Sequence, residues 1–107
     1  MLFNMREKKH PKIEDIELTD IMYALSDPAR VEIVRTIAKA KRALTCTELN
    51  ANRPKSSMSH HFKILRDCGV LETQIDGKEH LNTLRTAEVE KRFPGILKAI
   101  LKYISRS

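Results

Sequence analysis

The chain has 107 residues, with 20 Lys and Arg against 14 Asp and Glu and a formal net charge of +6. That length holds one domain, and 41% hydrophobic against 32% charged residues give a small core under an ion-dense surface, which a second subunit would extend. No apolar run reaches the roughly 20 residues of a membrane span, and the N-terminal stretch lacks the unbroken apolar region of a secretory signal.

Residues 1–12 form a basic leader that ends near Pro11 and is expected to be flexible, with one domain over residues 13–107. Ile13, Ile16, Leu18, Ile21, Met22 and Leu25 then follow a helical period, predicting a first helix over about 13–25. Ser26, Asp27 and Pro28 combine a capping side chain with a proline placed where a helix can begin, and Val31, Ile33, Val34, Ile37 and Ala38 carry a second helix to about 40. Thr45 with Glu48 has capping-box spacing, and Leu44 with Leu49 supplies the hydrophobic staple of a short third helix. Asn50, Asn52 and Pro54 interrupt the pattern before Met58, Phe62 and Leu65 define a fourth helix, closed by Gly69. Two helices joined by a tight turn make a helix-turn-helix.

Beyond Gly69 the period becomes two. Leu71, Thr73 and Ile75 alternate with polar residues, Asp76 and Gly77 turn the chain, and residues 79–84 return as a hairpin. Placing Leu81 on the face of Ile75 requires a bulged loop of odd length in place of a two-residue turn. Thr86 is positioned to cap a further helix, which Phe93, Pro94 and Gly95 break. Ile96, Leu97, Ile100, Leu101 and Ile104 form a final narrow stripe. The predicted fold is mainly α with a small β-hairpin.

The charge is unevenly placed: residues 39–66 carry +6 and residues 13–32 carry −5. Over residues 55–68 the apolar side chains fall on one helical face, while Lys55, Ser56, Ser59, His60 and Lys63 fall largely on the other. Such a face donates hydrogen bonds and suits an anionic groove lined with acceptors; the alternative is an ordinary solvated face.

The segments Ala24-Leu25-Ser26-Asp27-Pro28-Ala29-Arg30, Thr45-Cys46-Thr47-Glu48-Leu49, Ser56-Ser57-Met58-Ser59-His60-His61-Phe62-Lys63-Ile64-Leu65-Arg66-Asp67-Cys68-Gly69-Val70-Leu71 and the Asp76-Gly77 hairpin resemble the ArsR family of bacterial winged-helix transcriptional regulators. Residues 92–101 look like a recurrent ending in part of that family. The resemblance runs from about Ile13 to Ile104. It implies a winged helix-turn-helix that dimerises through its first and last helices, binds a palindrome in double-stranded DNA and usually represses. The positions it carries over as DNA-binding are Lys55, Ser56, Ser57, Ser59, His60 and Lys63 on the recognition helix, with Lys78 and His80 on the wing. His61 lies towards the apolar side and reads as a hydrogen-bonded structural histidine, while Lys39, Lys41, Arg42 and Arg53 flank the groove as phosphate contacts.

One departure concerns sensing. Metal-responsive relatives carry two cysteines at alternate positions of the third helix, where this chain has Thr45 and Thr47 with Cys46 between them, and hydroxyls are poor ligands for soft metals. No metal site or cofactor is therefore expected, and no inducer is identified. Cys46 and Cys68 show neither a disulfide framework nor a four-ligand zinc pattern, which points to the cytoplasm. Cys68 stands near Lys63 and Arg66, cations that would lower a thiol pKa if it were exposed, but small buried cysteines are commonplace, and both Cys46 and Cys68 read first as structural, with redox sensing the alternative. The three glycines are too scattered for a phosphate loop and no His-Glu-x-x-His occurs, so no enzyme constellation is present. The rival to a DNA-binding role is a winged-helix protein-interaction module, in which the same polar helix meets an acidic protein.

Overall fold

Asp27 begins the best-defined helix. In the computed structural model, which describes residues 9–50 and 52–104, its carboxylate accepts from the Ala29 N–H at 2.8 Å, and Pro28 opens α2 (Pro28–Ala40). Ile33, Val34 and Ile37 turn one face of α2 into the core, and Lys41 ends it in the left-handed conformation.

The expected first helix is divided. Ile13–Asp15 make a single 3-10 turn, Ile16 and Glu17 are extended, and only Leu18–Ala24 form a helix, α1. The break follows from Ile16. Its side chain is buried against Gly69, and its carbonyl accepts from Nε and Nη2 of Arg92 at 3.1 and 2.9 Å instead of continuing a helix.

The predicted capping box is present. Thr45 Oγ1 accepts from the Glu48 N–H, and Glu48 Oε1 accepts from the Thr45 N–H, starting the short α3 (Cys46–Leu49) with Leu44 and Leu49 both buried. After the turn comes α4 (Lys55–Asp67), which buries Met58, Phe62 and Leu65. Gly69, at φ +88, donates its N–H to the Arg66 carbonyl and closes it.

The hairpin is part of a three-stranded antiparallel sheet. Leu44–Thr45 form β1, Leu71–Asp76 form β2 and Glu79–Leu84 form β3, in the order β1-β3-β2. Asp76 pairs with Glu79, so the connection is a plain two-residue turn with Gly77 at φ +64, and the expected bulged loop is not formed. Leu81, expected on the core side, instead faces Gln74, and the core-side residue is Asn82, opposite Thr73. Asn82 is fully buried because its hydrogen bonds are filled: its amide donates to the Leu44 carbonyl and Cys46 Sγ, and its oxygen accepts from Thr73 Oγ1 at 2.7 Å. This network fastens the start of α3 to the base of the wing.

Thr86 does not cap α5 (Thr86–Arg92); it is the first helical residue, preceded by Arg85, which bridges Glu88 and the Pro11 carbonyl. Glu90 closes the predicted break by accepting from the N–H groups of Gly95 and Lys98, at the start of α6 (Ile96–Ile104). Of the leader, residues 1–8 lie outside the described residues. At its inner end the chain is docked and not free, since His10 Nε2 accepts from the Thr73 N–H at 2.9 Å on the edge strand β2.

Candidate nucleic-acid interface

α4 presents two chemically distinct sides. Met58, Phe62 and Leu65 hold it against the core, while Lys55, Ser56, Ser57, Ser59, His60 and Lys63 are exposed. Pro54 precedes α4 without a side-chain cap, which leaves the first-turn N–H groups of the helix without a capping side chain, next to the exposed Ser56 and Ser57. Lys78 is exposed on the wing turn and His80 is half-buried beside it. A groove of about 230 Å³ joins these elements, lined among others by Thr47, Lys55, Ser59, Lys78 and His80. The wing thereby meets the start of α4, and His60 and Lys63 continue along the helix from that junction.

Two cations expected near the groove are paired. Lys63 Nζ lies 2.7 Å from Asp67, one helical turn on, and Arg42 lies 2.9 Å from Glu48. Both pairs are exposed and worth little, so phosphates compete readily for these side chains. The Arg42 guanidinium and the Thr45 N–H hold Glu48 well below the usual carboxylate range, at about 2. Lys39, Lys41 and Arg53 are exposed.

His61 faces the other way. Arg30 is buried, donates Nε to the Ala24 carbonyl at 2.7 Å and reaches His61 Nδ1 with Nη1 at 3.2 Å. Nδ1 therefore accepts, and the ring proton sits on Nε2. Burial pushes the His61 pKa down, with Asp27 acting in the opposite sense and Arg30, His60 and Arg53 reinforcing it. The folded imidazole resists a proton that the unfolded one accepts near its ordinary value of 6.5. Stability should therefore fall as pH drops through that value. His61→Gln should flatten this part of the pH profile in urea unfolding; an unchanged profile would assign the dependence to another group.

The cysteines are placed differently from each other. Cys46 is half-buried beside the groove and accepts from Asn82. Cys68 is buried and donates to the Leu65 carbonyl, and burial pushes its thiol up to about 11, so it is a structural cysteine and not an activated one. Among the described residues no three His, Cys, Asp or Glu side chains are grouped to hold a metal ion, and no helix is long and apolar enough to cross a membrane.

Sequence reasoning missed Arg30, which orients α4 through His61, and Asn82, which anchors the wing. The arginine's partners lie 6 and 31 residues away, and an asparagine in a strand pattern reads as solvent-facing.

Residues 25–74 match the model of a helix-turn-helix domain. An uncharacterized HTH-type transcriptional regulator, YceK of Bacillus subtilis (strain 168), is 34% identical over 82 residues, covering 75% of this chain and 82% of YceK. The crystal structure of the ArsR family transcriptional regulator RHA00566 superposes with a TM-score of 0.63 at 20% identity, over 84% of this chain and 97% of that one. That of the transcriptional repressor BigR from Xylella fastidiosa gives 0.59 at 20% identity, over 77% and 84%.

Proposed function

The chain belongs to the helix-turn-helix transcriptional regulators, with the ArsR-type winged-helix fold, and from that premise we propose that it is a homodimeric, cytoplasmic repressor that reads a DNA palindrome with α4. The observation that carries this reading is the exposed side of α4. Lys55, Ser56, Ser57, Ser59, His60 and Lys63 lie there together, with Lys78 and His80 of the wing beside its first turn. The hydroxyls and first-turn N–H groups suit phosphates, and His60 and Lys63 have the reach for base edges or phosphates further along the groove.

Dimerisation is supported by Met22 and Tyr23 on α1 and Tyr103 on α6, large side chains left exposed on the first and last helices. A two-fold axis there would set two copies of α4 in successive major grooves, about 34 Å apart. Repression is supported by the likeness to BigR. Thr45 and Thr47 stand where metal-responsive relatives have cysteines, which favours an effector other than a soft metal.

The test is the response to salt. Lys63→Ala should weaken duplex binding and reduce the slope of log K against log salt by about 0.9 for each phosphate that the variant no longer neutralises. An unchanged affinity and slope would remove Lys63 from the interface. His60→Ala should alter the set of selected sequences more than it alters binding to random DNA. An unaltered set would show that His60 does not read bases.

A further inference from the structure

The groove between α3, the start of α4 and the wing turn contains more than a seat for phosphate. Its lining includes the buried Phe62 and the half-buried Cys46 together with exposed Lys55, Ser59 and Lys78 and half-buried His80. Among the described residues neither Lys55 nor Lys78 has a carboxylate within ion-pair distance. Glu79 is the single carboxylate in the lining, which leaves positive charge in excess. A phosphate of the DNA backbone would meet the lysines from outside but brings no apolar surface to Phe62 and Cys46. The volume, about 230 Å³, is below the roughly 300–1,000 Å³ of pockets for drug-sized ligands, so the occupant is small.

We propose that this groove binds a small organic acid, its carboxylate between Lys55 and Lys78 and its apolar body over Phe62, and that the bound acid displaces DNA. The displacement rests on the DNA-binding reading above, because Lys55, Ser59, Lys78 and His80 serve both ligands. The acid thus neutralises two interface cations and fills the space between wing and recognition helix, with no change of fold required.

The experiment uses the full chain with benzoate as probe, benzyl alcohol as its uncharged counterpart and inorganic phosphate as a charge-only control, all at one ionic strength. Benzoate should shift the amide resonances of residues 45–47, 59 and 78–80 and saturate with a Kd of about 1 mM, an ordinary strength for so small a ligand. At ten times that concentration, affinity of the dimer for duplex DNA should fall about a hundredfold by competition, about tenfold for each of its two grooves. Benzyl alcohol should produce neither effect, and phosphate, which meets the lysines but brings no apolar surface to Phe62, should give clearly smaller shifts and less displacement at the same concentration. Absence of the benzoate shifts in a protein that binds DNA would overturn the proposal, and equal shifts from phosphate would overturn the organic-acid assignment. Benzoate shifts in a protein without DNA affinity would uphold the ligand site and overturn the DNA reading instead.

Discussion

Replacing Lys55 and Lys78 together by alanine should lower affinity for duplex DNA by about three orders of magnitude or more near 0.1 M salt, the counterion-release drop expected when a dimer gives up about four phosphates. Lys55 opens α4 and Lys78 lies on the wing turn, so in the proposed complex the pair would hold the DNA from two elements that meet across one groove. The slope of log K against log salt should fall by about 3.6, from four phosphates at about 0.9 each. Both side chains are exposed, and substitutions at such positions change stability by no more than about 0.5 kcal/mol. The effect therefore belongs to binding and not to folding. Fluorescence anisotropy across a salt series checks it, with urea unfolding of the same variant as control. An unchanged slope would show that these lysines do not meet phosphates.

Gly69→Ala should be the most damaging single substitution at a glycine. A Cβ at this position would lie 1.8 Å from Ile16 Cδ1, and φ is +88. The left-handed backbone costs an alanine about 1–2 kcal/mol, and overpacking adds about 1–3 kcal/mol. Ile16 has little freedom to retreat, since its side chain is buried and its carbonyl is held by Arg92. A total near 3 kcal/mol corresponds to a fall in Tm of at least about 12 °C for a domain of this size. Gly77→Ala is the matched control: φ is +64, but nothing lies within 4 Å of the added carbon. It should lose only the backbone part, about 1–2 kcal/mol. Equal losses for the two variants would show that Ile16 yields and that the close approach carries no energy.

The features legible in the sequence are those determined within a few residues. Asp27 and Pro28, the Thr45 and Glu48 box, the spacing of Met58, Phe62 and Leu65 and the stop at Gly69 each act over one or two turns, and each appears where the pattern places it. The exposed side of α4 is legible for the same reason, because burying one helical face fixes the other. Features that depend on distant partners are not legible. The division of the first helix requires Arg92, 76 residues from Ile16, and β1 exists only because β3 lies beside it. The wing register escapes a reading of apolar alternation because the core-side position belongs to Asn82, made tolerable by Thr73 and Leu44. Glu90 caps α6 from the preceding helix, across the break. Cys68 could be read either way from the sequence, as a small buried thiol or as one activated by nearby cations, and its burial in the core decides for the first.

In the proposed complex two copies of α4, related by a two-fold axis, enter successive major grooves of one DNA duplex. Hydroxyl-radical footprinting of a genomic fragment selected by the purified protein tests it most directly. Two protected stretches related by palindromic sequence and centred about 34 Å, or one helical turn, apart are predicted. A single protected stretch, or protection without symmetry, would contradict the dimeric readout and with it the proposed function.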